Sequence, residues 1–157
     1  MADTSLFENK IGLLIWKTSI LWQSKLRKIL YKYKISLNEY LILQSLIYSI
    51  RNNLDIHQSQ IATKIGVDVS VASVTFMSLE KKKYISRKIE NDNRKKIIEV
   101  LKKGEDLFNL IYPLIEKEEM LMFNKLNNET FNFTNSLKLL LGKKIRIKAE
   151  KQKNNDR

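Results

Sequence analysis

Four glycines and one proline punctuate the 157 residues of this chain. So few turn formers cannot serve a β-sandwich or barrel, whose many reversals draw on both residue types. A mostly helical fold needs far fewer, and 43% hydrophobic residues are enough for a core. The absence of cysteine removes disulfides, Cys-ligated zinc, iron–sulfur clusters and thiol redox sensing. With a single histidine, a His-based metal site or triad is not expected, nor is any metal or cofactor. No phosphate-binding glycine loop or nucleophile motif is present, so the chain does not read as an enzyme.

MADTSLFENK carries Asp3 and Glu8 where a secretory leader is basic. Apolar runs such as Leu13–Trp16 reach about four residues, against roughly 20 for a bilayer span. A cytoplasmic protein with no membrane partner is expected. Lys and Arg number 29 against 17 Asp and Glu, a net charge of +12. That excess points to a polyanion, nucleic acid ahead of an anionic membrane surface. Part of it matches the Lys-, Ile- and Asn-rich usage of AT-rich genomes.

Ser5-Leu6-Phe7-Glu8 reads as a capping box opening a long helix to about Tyr33. Its apolar residues recur at helical spacing, and Trp16 and Trp22 lie off that stripe, which suggests burial against another chain. Ser36-Leu37-Asn38-Glu39 is a second box, with Leu37, Tyr40, Leu41, Leu43, Leu46, Ile47 and Ile50 facing a core and Arg51-Asn52-Asn53 ending the helix. Asp55-Ile56-His57-Gln58 is a third, opening a short helix with Ile61, Ala62 and Ile65 that Gly66 closes. Asp68 or Ser70 caps the next helix, whose Ala72, Thr75, Phe76 and Leu79 fall on one face. Lys81-Lys82-Lys83 closes it. Residues 84–89 and 95–100 are β-prone and flank the polar stretch 90–94, which predicts a hairpin. Helical spacing resumes from Leu107 with a kink expected at Pro113 and a break at Asn127-Asn128. A last helix is expected from about Phe131 to Lys148, with a frayed tail at 151–157.

The resulting order is a helix-turn-helix followed by a two-stranded wing. Physically, the second helix of such a unit lies in the major groove while the first braces it. From Glu80 to Lys103 ten Lys or Arg stand against four acids, so half of the net charge gathers around the wing. Charge concentrated on the element placed to touch phosphate is better evidence than charge spread evenly. The exposed face of the recognition helix is expected to be Ser70, Val71, Ser73, Val74 and Met77. Val71 and Val74 suit thymine methyls, and the two serines suit base edges. Lys81, Arg87, Lys88, Asn93 and Lys95 are the expected further contacts to DNA.

In the same order stand Ile61-Ala62, Gly66-Val67, Leu79-Glu80, Ile85-Ser86-Arg87, Asp92-Asn93-Arg94 and Leu101-Lys102-Lys103-Gly104. With this set the chain resembles, over nearly its whole length, the MarR family of winged-helix transcription regulators. The resemblance implies a mainly α fold with a small β-hairpin wing: a winged helix-turn-helix at 36–101 with dimerisation helices from 1–35 and 102–150. It implies that Arg94 enters a minor groove and that Asp92 orients it through an ion pair. It further implies a homodimer on a two-fold symmetric double-stranded DNA site, A·T-rich where Arg94 reads it. An arm-based interface also admits a paralogue as partner. The family commonly holds a small-molecule effector between arm and winged helix, but no polar constellation here names one. Two positions depart from the pattern. Lys83 stands where a glycine usually follows the recognition helix, and Val74 where an arginine is frequent.

Blander readings stand beside these. The lysine-rich wing could be a solvated face, Asp92 with Arg94 a surface ion pair, and Trp16, Trp22, Tyr40 and Phe108 plain core or dimer packing. His57 reads as a polar first-turn residue. The apolar recognition face also fits an architectural or protein-interaction module with little DNA sequence preference.

Overall fold

The computed structural model describes residues 9–54, 56–89 and 96–145. The chain forms helices α1 (Ile11–Lys32), α2 (Leu37–Arg51), α3 (Gln58–Ile65) and α4 (Val69–Lys81). Strands β1 (Ile85–Ile89) and β2 (Lys96–Val100) follow, then α5 (Lys102–Phe123), a 3-10 segment (Asn124–Glu129) and α6 (Thr130–Leu140). Residues up to Glu119 form one compact unit, and a smaller unit begins at Met120. The fold class is the expected one. No single helix among the described residues is long and apolar enough to cross a membrane.

The larger unit is built around α2. Ser36 caps it with a complete capping box: its hydroxyl accepts from the Glu39 N–H, and the Glu39 carboxylate accepts from the Ser36 N–H. Leu37, Tyr40, Leu43, Leu46 and Ile47 are buried as their spacing predicts, but so are Ile42, Ser45 and Ser49. A helix covered on nearly all sides needs no polar face, so a one-sided reading misses Ile42. Ile50, expected in the core, is 42% exposed, although Ile47 and Ser49 just before it are buried. Leu26 and Leu30 of α1, Ile61 and Ala62 of α3, and Phe108, Ile111 and Ile115 of α5 complete the core with the inner face of α4.

Two helix ends, the start of α3 and the end of α6, differ from what the sequence predicts. The first box, at Ser5, lies outside the described residues, as does Asp55. Helix α3 starts at Gln58 from His57, which makes no side-chain cap, so it begins later than the third box predicts. Helix α6 stops at Leu140 rather than near Lys148. Gly142 takes φ 66, and the N–H groups of Gly142 and Lys143 return to Leu139 O and Lys138 O, which closes a Schellman stop. Pro113 lies inside α5, which runs through it as one helix. Helix α5 ends at Phe123, and the break expected at Asn127-Asn128 is present, with Asn127 outside helical geometry within the 3-10 segment.

The same stop ends α4 without glycine. Lys83 adopts φ 60, and the N–H groups of Lys83 and Tyr84 donate to Glu80 O and Leu79 O. Its side chain is exposed, while its Cβ strains the left-handed backbone by about 1 kcal/mol. Lys83→Gly is therefore expected to raise stability by about 1 kcal/mol, read as a higher urea midpoint.

In the smaller unit, no residue of the 3-10 segment or of α6 is buried. Leu139, Leu140 and Leu141 stand exposed at the end of α6.

Candidate nucleic-acid interface

Gly66 makes the turn between α3 and α4. At φ 74 it holds the left-handed conformation that a side chain would strain, and the two helices meet at a bend of 113°. Asp68 starts α4, accepting from the Ser70 N–H at 2.8 Å and from its hydroxyl at 2.5 Å. Those bonds hold the exposed Asp68 carboxyl below the usual carboxylate range. Ala72, Thr75, Phe76 and Leu79 are buried, the four that the spacing selects. Their burial turns Ser70, Val71, Val74 and Met77 outward and leaves Ser73 half-buried. Val69 is exposed beside them, so the outer face is apolar with two hydroxyls and no long hydrogen-bonding side chain.

The wing is an antiparallel pair in which Ile85 opposes Val100, Arg87 opposes Ile98, and Ile89 opposes Lys96. Lys88 is exposed and its ammonium lies 3.0 Å from Glu99, which holds that carboxyl below its ordinary range. Lys81 is exposed at the end of α4. Arg87 is placed differently. Its Nε and Nη2 lie 3.0 and 2.5 Å from one Glu80 oxygen, and its side chain is only 13% exposed. Asp92, Asn93, Arg94 and Lys95 lie outside the described residues.

Two residues that matter here carry no such role in the sequence reading. Glu39 is 3% exposed and accepts from the Ser36 N–H at 2.7 Å, the Ser78 hydroxyl at 2.6 Å and the Lys82 ammonium at 2.8 Å. The Lys82 ammonium also reaches Lys34 O at 2.9 Å, so one carboxylate ties the start of α2 to the end of α4. Gly104 opens α5 directly beneath the wing's root, where an added Cβ would lie 2.3 Å from Tyr84 O. The capping-box spacing shows half of the first role. Only the Leu101-Lys102-Lys103-Gly104 pattern hints at the second.

A cleft of about 490 Å³ opens between α1, α2 and α3, lined by Trp22, Leu41, Gln44, Ser45, Tyr48, Lys64 and Ile65. Lys64 Nζ stands 4.4 Å from the Tyr48 ring centre. The buried Ser45 hydroxyl has no hydrogen-bond partner among the described residues. Trp22 is half-buried and donates its indole N–H to Glu119 at 2.7 Å, while Tyr40 and Phe108 stack in the core. Trp16 is 64% exposed.

The profile of the MarR family matches residues 35–97. The uncharacterized HTH-type transcriptional regulator YdcH of Bacillus subtilis (strain 168) is 26% identical over 131 residues, which span 83% of this chain and 88% of that protein. The fold is that of MepR in the crystal structure of the S. aureus MepR–DNA complex. The TM-score is 0.76 at 20% identity, over 86% of this chain and 96% of that one. CouR from Rhodococcus jostii RHA1, bound to p-coumaroyl-CoA, shares it with a TM-score of 0.70 at 17% identity, over 85% and 92%. Over residues 35–97, its winged helix-turn-helix, the chain is thus similar to the MarR family.

Proposed function

We propose that this chain is a dimeric DNA-binding transcriptional regulator, with α4 in the major groove and the wing over the adjacent minor groove. One observation carries the reading: α4 buries its inner face completely and presents Ser70, Val71, Ser73, Val74 and Met77 beside a lysine-rich hairpin. A helix turned outward next to clustered cations has the form of a groove reader. In this reading Lys81 and Lys88 would meet phosphates, and Asn93, Arg94 and Lys95 would serve the minor groove and its rim, with Asp92 orienting Arg94. Because the outer face of α4 carries no bidentate base reader, specificity rests on thymine methyls and on an A·T-rich minor groove. The DNA-bound MepR structure and the regulator YdcH support this direction.

Dimerisation is supported by apolar side chains that this chain leaves uncovered. On α1, Ile11, Leu14, Ile15, Trp16, Ile20 and Leu21 are between 45% and 71% exposed. Two copies would place two recognition helices on half-sites about 34–36 Å apart, or a multiple of that. The cleft beside Trp22 and Lys64 would take a small-molecule effector, a reading supported by CouR, a chain of this fold bound to p-coumaroyl-CoA.

The test is fluorescence anisotropy on the duplex upstream of the chain's own gene and on a scrambled duplex of equal A·T content. The expected result is preference for the first and a steep salt slope. Arg94→Ala is expected to weaken binding on the order of 10- to 100-fold. Equal binding to both duplexes favours the architectural reading, which the exposed Val69, Val71, Val74 and Met77 support. Failure to bind either duplex favours a protein partner.

A further inference from the structure

Strand alternation sets the two basic residues of β1 on opposite faces. Ile85 is 1% exposed and packs into the core; Arg87, two residues on, shares its inward face and opposes the buried Ile98. Lys88 takes the outer face with Glu99. From the inner face the Arg87 guanidinium spends Nε and Nη2 on Glu80, in the last turn of α4. Its Nη1 lies 3.5 Å from the Gln58 side-chain oxygen, at the first residue of α3. One planar fork thus touches the wing, the recognition helix and its bracing helix.

We propose that Arg87 is a positioning residue for DNA binding, clamping the wing to α4 through Glu80 and to α3 through Gln58 rather than contacting phosphate. The inference rests on the DNA-binding reading above. A two-stranded hairpin is at best marginal on its own and must be held by what it packs on. Ile85 holds its root, and Arg87, level with the buried Ile98, is the next attachment outward along β1 on that face. Swinging Arg87 out to phosphate would strip Glu80 of this partner and leave a carboxylate at the end of the recognition helix, where it repels DNA. Lysine cannot replace the clamp, because a point charge lacks the fork that engages two partners at once.

The two roles predict opposite results for Glu80. Anisotropy with the upstream duplex is measured from about 50 to 200 mM salt for wild type, Arg87→Ala, Arg87→Lys and Glu80→Gln. As a clamp, Arg87→Ala weakens binding about tenfold with the salt slope unchanged, and Glu80→Gln weakens it too. Arg87→Lys recovers little. As a phosphate contact, Arg87→Ala makes the slope shallower by about 0.9, Arg87→Lys recovers most of the affinity, and Glu80→Gln tightens binding. That second pattern overturns the proposal. Amide exchange without DNA separates this failure from failure of the DNA reading. The clamp predicts faster exchange in β1 and β2 of Arg87→Ala, with α2 protected as in wild type. Unchanged hairpin exchange overturns it even if the chain binds no DNA.

Discussion

Gly104→Ala is expected to destabilise the larger unit by about 3 kcal/mol, at the upper end of what overpacking costs. In an unconstrained helix the same change would stabilise by about 1 kcal/mol, since alanine is the better helix former. Packing reverses the sign. The added Cβ would lie 2.3 Å from Tyr84 O, 3.0 Å from its carbonyl carbon and 3.1 Å from its Cα. All three are backbone atoms, so no rotamer change relieves the clash. Tyr84 O also accepts from the Leu101 N–H at 2.9 Å, and Tyr84 N–H donates to Leu79 O at 3.0 Å. Moving that peptide loosens the joint between α4, the wing and α5 together. Urea unfolding checks the prediction directly. A midpoint at or above wild type would show that the close approach does not govern this position.

Helix α4 is legible in the sequence because every local signal agrees. Asp68 caps, Gly66 turns, and Ala72, Thr75, Phe76 and Leu79 repeat at helical spacing over one buried face. The outer face follows from the inner one. Signals fail where a position answers to distant residues. Ile42 is buried because α2 is covered on nearly all sides, which no single-helix period encodes. Arg87 reads as a free cation only while its charge is counted; the alternation from buried Ile85 already turns it inward. Lys83 marks the limit in the other direction. Its missing glycine is visible, but that lysine would hold the left-handed turn depends on hydrogen bonds closing behind Leu79.

The Glu39 junction joins both cases. Ser36-x-x-Glu39 shows the capping box, whereas Ser78 and Lys82 lie 39 and 43 residues away. Burial opposes the Glu39 charge, yet the Lys82 ammonium, the Ser36 N–H and the Ser78 hydroxyl together hold its carboxyl below the ordinary value. A carboxyl depressed in the folded state stabilises the fold above its unfolded pKa of about 4.3, and that contribution is lost as pH falls through the folded value. Glu39→Gln keeps the shape but removes the charge, so a Lys82 left without its anion and a misfit amide should cost about 2 kcal/mol at pH 7. Urea midpoints of wild type and variant should therefore differ most near neutral pH and draw together below about pH 4. Asp68 and Glu99 are also depressed but are common to both proteins, so the difference isolates Glu39. Curves that stay parallel as the pH falls well below about 4 would show that the carboxylate charge does not hold α2 to α4. Convergence would identify the buried anion as what fixes the end of the recognition helix, with the helix's outer face set by the core beneath it.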